Sequence, residues 1–213
     1  MNSPEQLPTQ QKQRNVLIAV DIQNDFISGS LAVPGGAEVV EPINSLAQEI
    51  RDQNGEVIFT RDWHPAETPH FEQWPVHCVA GTKGAAFADR LIIKDADTVL
   101  SKGMEQTDGY SGAEGISDDG RNLEQLISVE SAEKTRIFIG GLATDYCVKA
   151  TAVDTAEIYS SNDDVEIYLI RNAIRAVNMQ ASDEQTALDA IKDAGVLAIS
   201  SKEALSILRS LEV

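Results

Sequence analysis

The stretch TRIFIGGLATDYCV occupies residues 135–148. Its first half, TRIFIGG, reads as a buried strand, and a helical pattern takes over at Thr144 and continues to Ile158. Gly140 and Gly141 permit a sharp turn between the two. Thr144 is a candidate N-cap for the helix. Outward from this stretch the same alternation continues. NVLIAV (15–20), EVIFT (56–60), TVLSK (98–102), VEIYLI (165–170) and the short VLAIS (196–200) read as strands. Helical patterns cover residues 37–53, 118–129, 182–194 and 202–211. In the first of them Val39, Val40, Ile43, Leu46 and Ile50 share one face. Near-continuous apolar strands alternating with amphipathic helices predict an α/β fold of three layers, a mostly parallel central sheet covered on both faces.

The chain has 213 residues, 42% of them hydrophobic, enough for a sizeable core. No linker-like stretch divides it, so residues 15–213 are expected to form a single domain. Residues 1–14, MNSPEQLPTQQKQR, are polar and lack an apolar signal core. They read as a disordered tail on a cytoplasmic protein. The formal net charge of −17 opposes both phosphate backbones and anionic lipid. Neither nucleic acid nor membrane is therefore expected as a partner. No apolar run is long enough for a transmembrane helix. Two cysteines, Cys78 and Cys147, make no disulfide framework. Composition leaves the oligomeric state open, a homo-oligomer included.

In a parallel α/β sheet, ligands bind outside the carboxyl ends of the strands. The first strand ends at Asp21, and the second runs into Asp62 and His64. The third ends at Lys102, and the fourth leads to Cys147. Each residue alone has a bland explanation, such as a turn-capping carboxylate, a surface amine or a small buried thiol. Their common edge points to chemistry. The chain's three histidines, His64, His70 and His77, all fall in one window just after Asp62. Residues two apart in an extended segment point the same way, so Asp62 and His64 can face one point. His70 and His77 lie on a loop able to fold back. Such a set suits one divalent ion, with zinc, iron and manganese all compatible. A helix N-terminus and a lysine ammonium both lower a thiol pKa, which predicts an activated Cys147 with Asp21 as its base. Backbone N–H groups at that helix start can hold an oxyanion.

The motifs VDIQNDF, RDWHP, WPVHC, SKG followed by YSG, and GGLATDYCV together resemble those of the nicotinamidases, within the isochorismatase-like cysteine hydrolases. The resemblance covers roughly residues 15–200 and implies that family's fold. It implies hydrolysis of nicotinamide to nicotinate and ammonia, a step of NAD salvage, with pyrazinamide as a further substrate. By position, Asp21, Lys102 and Cys147 correspond to the catalytic triad, and the amides of Ala143 and Cys147 to the oxyanion hole. Asp62, His64 and His77 correspond to the metal ligands, with His70 where some members place a further one, and zinc as the first expectation. Phe26, Trp74 and Tyr110 correspond to the ring pocket. The resemblance also implies a cis peptide between Leu142 and Ala143. Cys78 reads as structural. The rival reading is another isochorismatase-like hydrolase or amidase with a different small substrate.

Overall fold

In the computed structural model, which describes residues 12–105, 108–129 and 133–210, a seven-stranded sheet carries the fold. The strands are β1 (Lys12–Val20), β2 (Glu56–Asp62), β3 (Thr98–Lys102), β4 (Ile116–Ser117), β5 (Glu133–Leu142), β6 (Val165–Arg175) and β7 (Leu197–Ile199). The helices are α1 (Asn24–Ile27), α2 (Val40–Asp52), α3 (Leu123–Leu126), α4 (Lys149–Ile158), α5 (Asp183–Asp193) and α6 (Ser201–Arg209). The order across the sheet is β4-β3-β2-β1-β5-β6-β7, and every pairing is parallel except β3 with β4. The chain thus builds outward from β1 to one side and then returns to build the other. That reversal opens a crevice at the carboxyl ends of β1 and β5.

Alternation along β1 produces the layers. Leu17 and Ala19 pack with Ile43, Leu46 and Ile50 of α2 and with Ala204 and Leu208 of α6. Val16, Ile18 and Val20 face the other way, onto Leu123 of α3, Ala152 and Ala156 of α4 and Ile191 of α5. From Val16 to Val20 both faces of β1 are buried, which explains the unbroken apolar run there. Truncating a core residue such as Leu46 to alanine costs about 2–5 kcal/mol in such settings. In α6, Ser200 accepts from the Glu203 amide and Glu203 reaches back to the Ser200 N–H, a reciprocal cap that starts the helix there.

Among the boundaries that differ from the sequence reading, three stand out. The strand expected to begin at Asn15 begins at Lys12, and the rest of the expected tail, residues 1–11, lies outside the described residues. The helix expected over 118–129 shrinks to the single turn α3. Ahead of it Ser117 Oγ takes the Arg121 N–H at 3.0 Å, Gly120 turns the chain with φ +85°, and Asn122 caps α3 instead. The two residues before that turn form β4, antiparallel to Leu100 and Ser101. Finally, β6 runs on past Ile170 to Arg175.

Candidate active site

Strand register sets the first contacts. β2 and β3 pair so that Asp62 lies beside Lys102, and β1 and β5 pair so that Val20 lies beside Gly141. Gly141 has φ +130°, and a Cβ on it would sit 2.0 Å from the Val20 carbonyl oxygen. The absence of a side chain there lets the end of β1 and the turn after β5 close on each other. Asp21 turns off β1 with φ +48°, a conformation that aspartate tolerates.

Lys102 is fully buried at the centre. Its ammonium meets Asp21 Oδ2 at 2.8 Å, the Gly109 carbonyl at 2.9 Å, Cys147 Sγ at 3.5 Å, and Asp62 Oδ1 in a very short contact. Thr60 Oγ1 donates to the other Asp21 oxygen at 2.6 Å. Burial alone would lower the lysine pKa, but the carboxylates of Asp21 and Asp62 hold it well above its ordinary value. Burial pushes Asp21 up, and Lys102 only partly opposes it. Burial would also raise Asp62, yet Lys102 and His64 hold its carboxyl far below the usual range. Lys102 is therefore a fixed cation, Asp62 a fixed anion, and Asp21 the member able to take up a proton. Among the described residues, the Asp21 oxygen beside Lys102 is met as an ion pair and not by an aligned hydrogen-bond donor, which leaves a lone pair for that proton.

The thiol corrects an expectation. Burial pushes the Cys147 pKa well above its ordinary value; Lys102 opposes this in part, and the carboxylates of Asp21 and Asp62 reinforce it. The sulfur thus rests protonated, within 4.8 Å of a carboxylate oxygen of each aspartate. Nor does Cys147 open a regular α-helix. Residues Thr144–Val148 form a wider turn, in which the Val148 N–H donates to Ala143 O, five residues back, at 3.1 Å. Thr144 does not cap it; its hydroxyl is buried without a partner. The peptide between Leu142 and Ala143 is cis, as the resemblance implied.

At the other end of the same crevice stand the histidines. His64 Nδ1 lies 3.0 Å from the Gly103 carbonyl, and His77 Nδ1 lies 2.7 Å from the Pro75 carbonyl. His70 Nδ1 lies 2.7 Å from Asp108 Oδ1. Carbonyl and carboxylate oxygens only accept, so each Nδ1 carries the proton and each Nε2 presents a lone pair. Burial lowers the His77 pKa, and the Pro75 carbonyl offsets this in part. Ligand atoms of the three rings lie within 4.8 Å of one another. Asp62 Oδ2 stands 3.7 Å from His64 Nε2 and 3.9 Å from His77 Nε2. Among the described residues the buried His64 Nε2 has no hydrogen-bond partner, a costly state that a bound cation would relieve. The donor set of three imidazoles and one carboxylate fits a divalent ion of zinc type. His70, the least settled residue of the sequence reading, joins the cluster with the others.

Between the two ends lies a slot with roughly 370 Å³ of empty space, counted out to its mouth. Phe26, Trp74 and Tyr110 border it as expected, with Asp62, His70, His77, Ala143 and Cys147. Trp74 Nε1 donates to the Tyr110 hydroxyl at 2.9 Å. Trp63 has a different place, beneath the Arg61 guanidinium at 3.8 Å. Cys78 is fully buried and burial raises its thiol, consistent with a structural role. Several residues escaped the sequence reading. Tyr146 borders the slot and packs edge-on against Trp74 at 4.9 Å. Gln23 clamps both backbone groups of Asp62, each at 2.8 Å. Asp25 accepts the Cys78 N–H at 2.8 Å, beside His77. Gln23 and Asp25 stand inside the quoted VDIQNDF, and Tyr146 inside GGLATDYCV.

Comparison with known proteins adds an independent line. The isochorismatase domain family matches residues 15–203. A nicotinamidase/pyrazinamidase of Mycobacterium tuberculosis is 38% identical over 65% of this chain and 76% of its own. A nicotinamidase of Escherichia coli is 31% identical over 84% of this chain and 91% of its own. The crystal structure of a pyrazinamidase of Pyrococcus horikoshii in complex with zinc superposes with a TM-score of 0.74 at 33% identity, covering 88% of this chain and 99% of that one.

Proposed function

The chain belongs to the isochorismatase domain family, and from that membership we propose that it is a metal-dependent cysteine amidohydrolase acting on nicotinamide, with pyrazinamide as a second substrate. One observation carries the reading. A single buried ammonium, Lys102, joins the base Asp21, the nucleophile Cys147 and Asp62, and Asp62 in turn lies beside His64 and His77 of the imidazole cluster, on a slot bordered by aromatic rings. Asp62, His64, His70 and His77 would hold the divalent ion, zinc first among the candidates. When bound, the ion supplies an electrophilic anchor for a pyridine ring nitrogen. Orientation of this kind can lower a barrier by up to about 7–11 kcal/mol.

The protein's own groups then carry the reaction. Asp21 takes the proton of Cys147 as the sulfur attacks the amide carbon. The raised pKa of Asp21 suits it to hold that proton. The amides of Ala143 and Cys147 hold the developing oxyanion. Asp21 passes its proton to the departing nitrogen, the C–N bond breaks, and ammonia leaves a thioester on Cys147. Water then gives a proton to Asp21 and attacks the thioester, and the thiolate leaves and recovers that proton. Lys102 keeps its charge throughout and offsets the negative charge passed between oxygen and sulfur. The acid product enters NAD salvage in the cytoplasm.

The test is an ammonia-release assay on nicotinamide with the purified protein, paired with elemental analysis. Turnover with about one divalent ion per chain is expected. Turnover of another amide in place of nicotinamide would favour the rival reading. Near-normal turnover by Cys147→Ala would sink the nucleophile.

A further inference from the structure

Outside the slot lies a second hollow, with roughly 910 Å³ of space counted out to open solvent. The two share a waist of Leu31, Trp74, Tyr110, Tyr146 and Val177. The outer hollow adds Gln73, Pro75 and Met179 and touches neither Asp62 nor Cys147. It therefore lies on the side of the waist away from the charged floor. Its wall is largely apolar, Gln73 and the two tyrosines supplying its polar groups, and is ordered by local bonds. Asp145, two residues before the nucleophile, accepts the N–H groups of Val177 and Asn178 at 3.0 and 2.8 Å. The Tyr146 hydroxyl donates to Met179 Sδ at 3.4 Å. Met179 is nevertheless the most exposed large apolar side chain among the described residues, at 69%.

The floor determines which part of a ring faces this hollow. Asp62 borders the slot between the histidines and the thiol, and the buried Lys102 stands behind it, against Asp62 and Cys147. A pyridine with its nitrogen toward the histidines and its carboxamide over Cys147 turns the carbon between those two positions, C2, down onto Asp62. The opposite carbon, C5, then points through the waist.

Resting on the nicotinamidase reading, we propose that the outer hollow is a subsite for an apolar substituent at C5 of the substrate ring, and that Met179 sets its size. The chemical class is a neutral alkyl or halogen group, because an apolar wall leaves a charged or strongly polar group without partners. Nicotinamides carrying a short chain at C5 are turned over, and those carrying it at C2 collide with the floor.

The experiment uses the enzyme with its metal and three probes: nicotinamide, 5-propylnicotinamide and 2-propylnicotinamide. Ammonia release measures turnover, and calorimetric titration of Cys147→Ala measures binding without chemistry. The 5-propyl amide should keep kcat/KM within about threefold of nicotinamide, and the 2-propyl amide should lose about 100-fold or more. In Met179→Trp the ratio of kcat/KM for the 5-propyl amide over nicotinamide should fall about tenfold, and in Met179→Ala it should rise. Turnover and binding of nicotinamide without either for the 5-propyl amide would overturn the subsite and leave the amidase reading standing. Equal behaviour of the two propyl isomers would overturn the ring orientation and the subsite with it. An unchanged ratio in both Met179 variants would remove Met179 from the subsite. Failure of nicotinamide itself to bind or turn over would sink the amidase reading and this proposal together.

Discussion

The two ends of the slot are built in opposite ways. The histidine end comes from one continuous piece of chain, residues 62–77, braced by the carbonyls of Pro75 and Gly103 and by Asp108. The thiol end draws Asp21, Lys102 and Cys147 from three strand termini far apart in sequence. A cluster from one segment can be tuned by local changes. A cluster from three strands depends on the sheet. Lys102 links the two ends, through Asp62 on one side and Asp21 and Cys147 on the other.

That asymmetry gives an order of effects. Cys147→Ala should lower ammonia release by at least about 10⁴-fold while metal content per chain stays the same. A fall in metal content would show that the ends are not independent. Lys102→Met removes the shared cation and leaves two buried carboxylates facing each other. It should cost about 3–5 kcal/mol in urea unfolding, and it should impair both metal retention and turnover. A variant of normal stability would mean that Asp21 or Asp62 is already neutral. His64→Ala should weaken metal binding by about 100-fold or more, read by competition with a chelating dye. Alkylation of Cys147 in the metal-free forms of variant and parent should proceed at equal rates. Asp25→Ala should be milder. Its carboxylate holds the Cys78 N–H next to His77, so metal affinity should drop about tenfold, with much of it regained in Asp25→Asn. Retained affinity in Asp25→Ala would mean that His77 needs no such brace.

The same contrast explains what could be read without coordinates. Asp62, His64, His70 and His77 were legible from spacing alone, since their meeting requires no long-range folding. Asp21, Lys102 and Cys147 were legible only through the rule that parallel strands deliver their carboxyl ends to one edge. The layers followed from alternation, as β1 illustrates. Less accessible was the energetics of burial. A cysteine beside a lysine suggests a thiolate, yet the depth of Cys147 reverses the direction. Local competition was also hidden. Ser117 and Gly120 turn the chain where an apolar period suggested a helix. Tyr146 and Met179 carried no pattern, because their meeting depends on a turn after β6 docking on a turn after β5.

The pairing of β1 with β5 extends over nine residue pairs, from Lys12 with Glu133 to Val20 with Gly141. One slip of that ladder would carry Asp21 about 3.3 Å along the strand and turn alternate side chains to the wrong layer. Proton-transfer distance in this protein is therefore inherited from strand alignment. A chain that folded out of step would hold Asp21 out of place with every side chain present, so on the proposed mechanism the ladder guards fidelity of chemistry as much as stability.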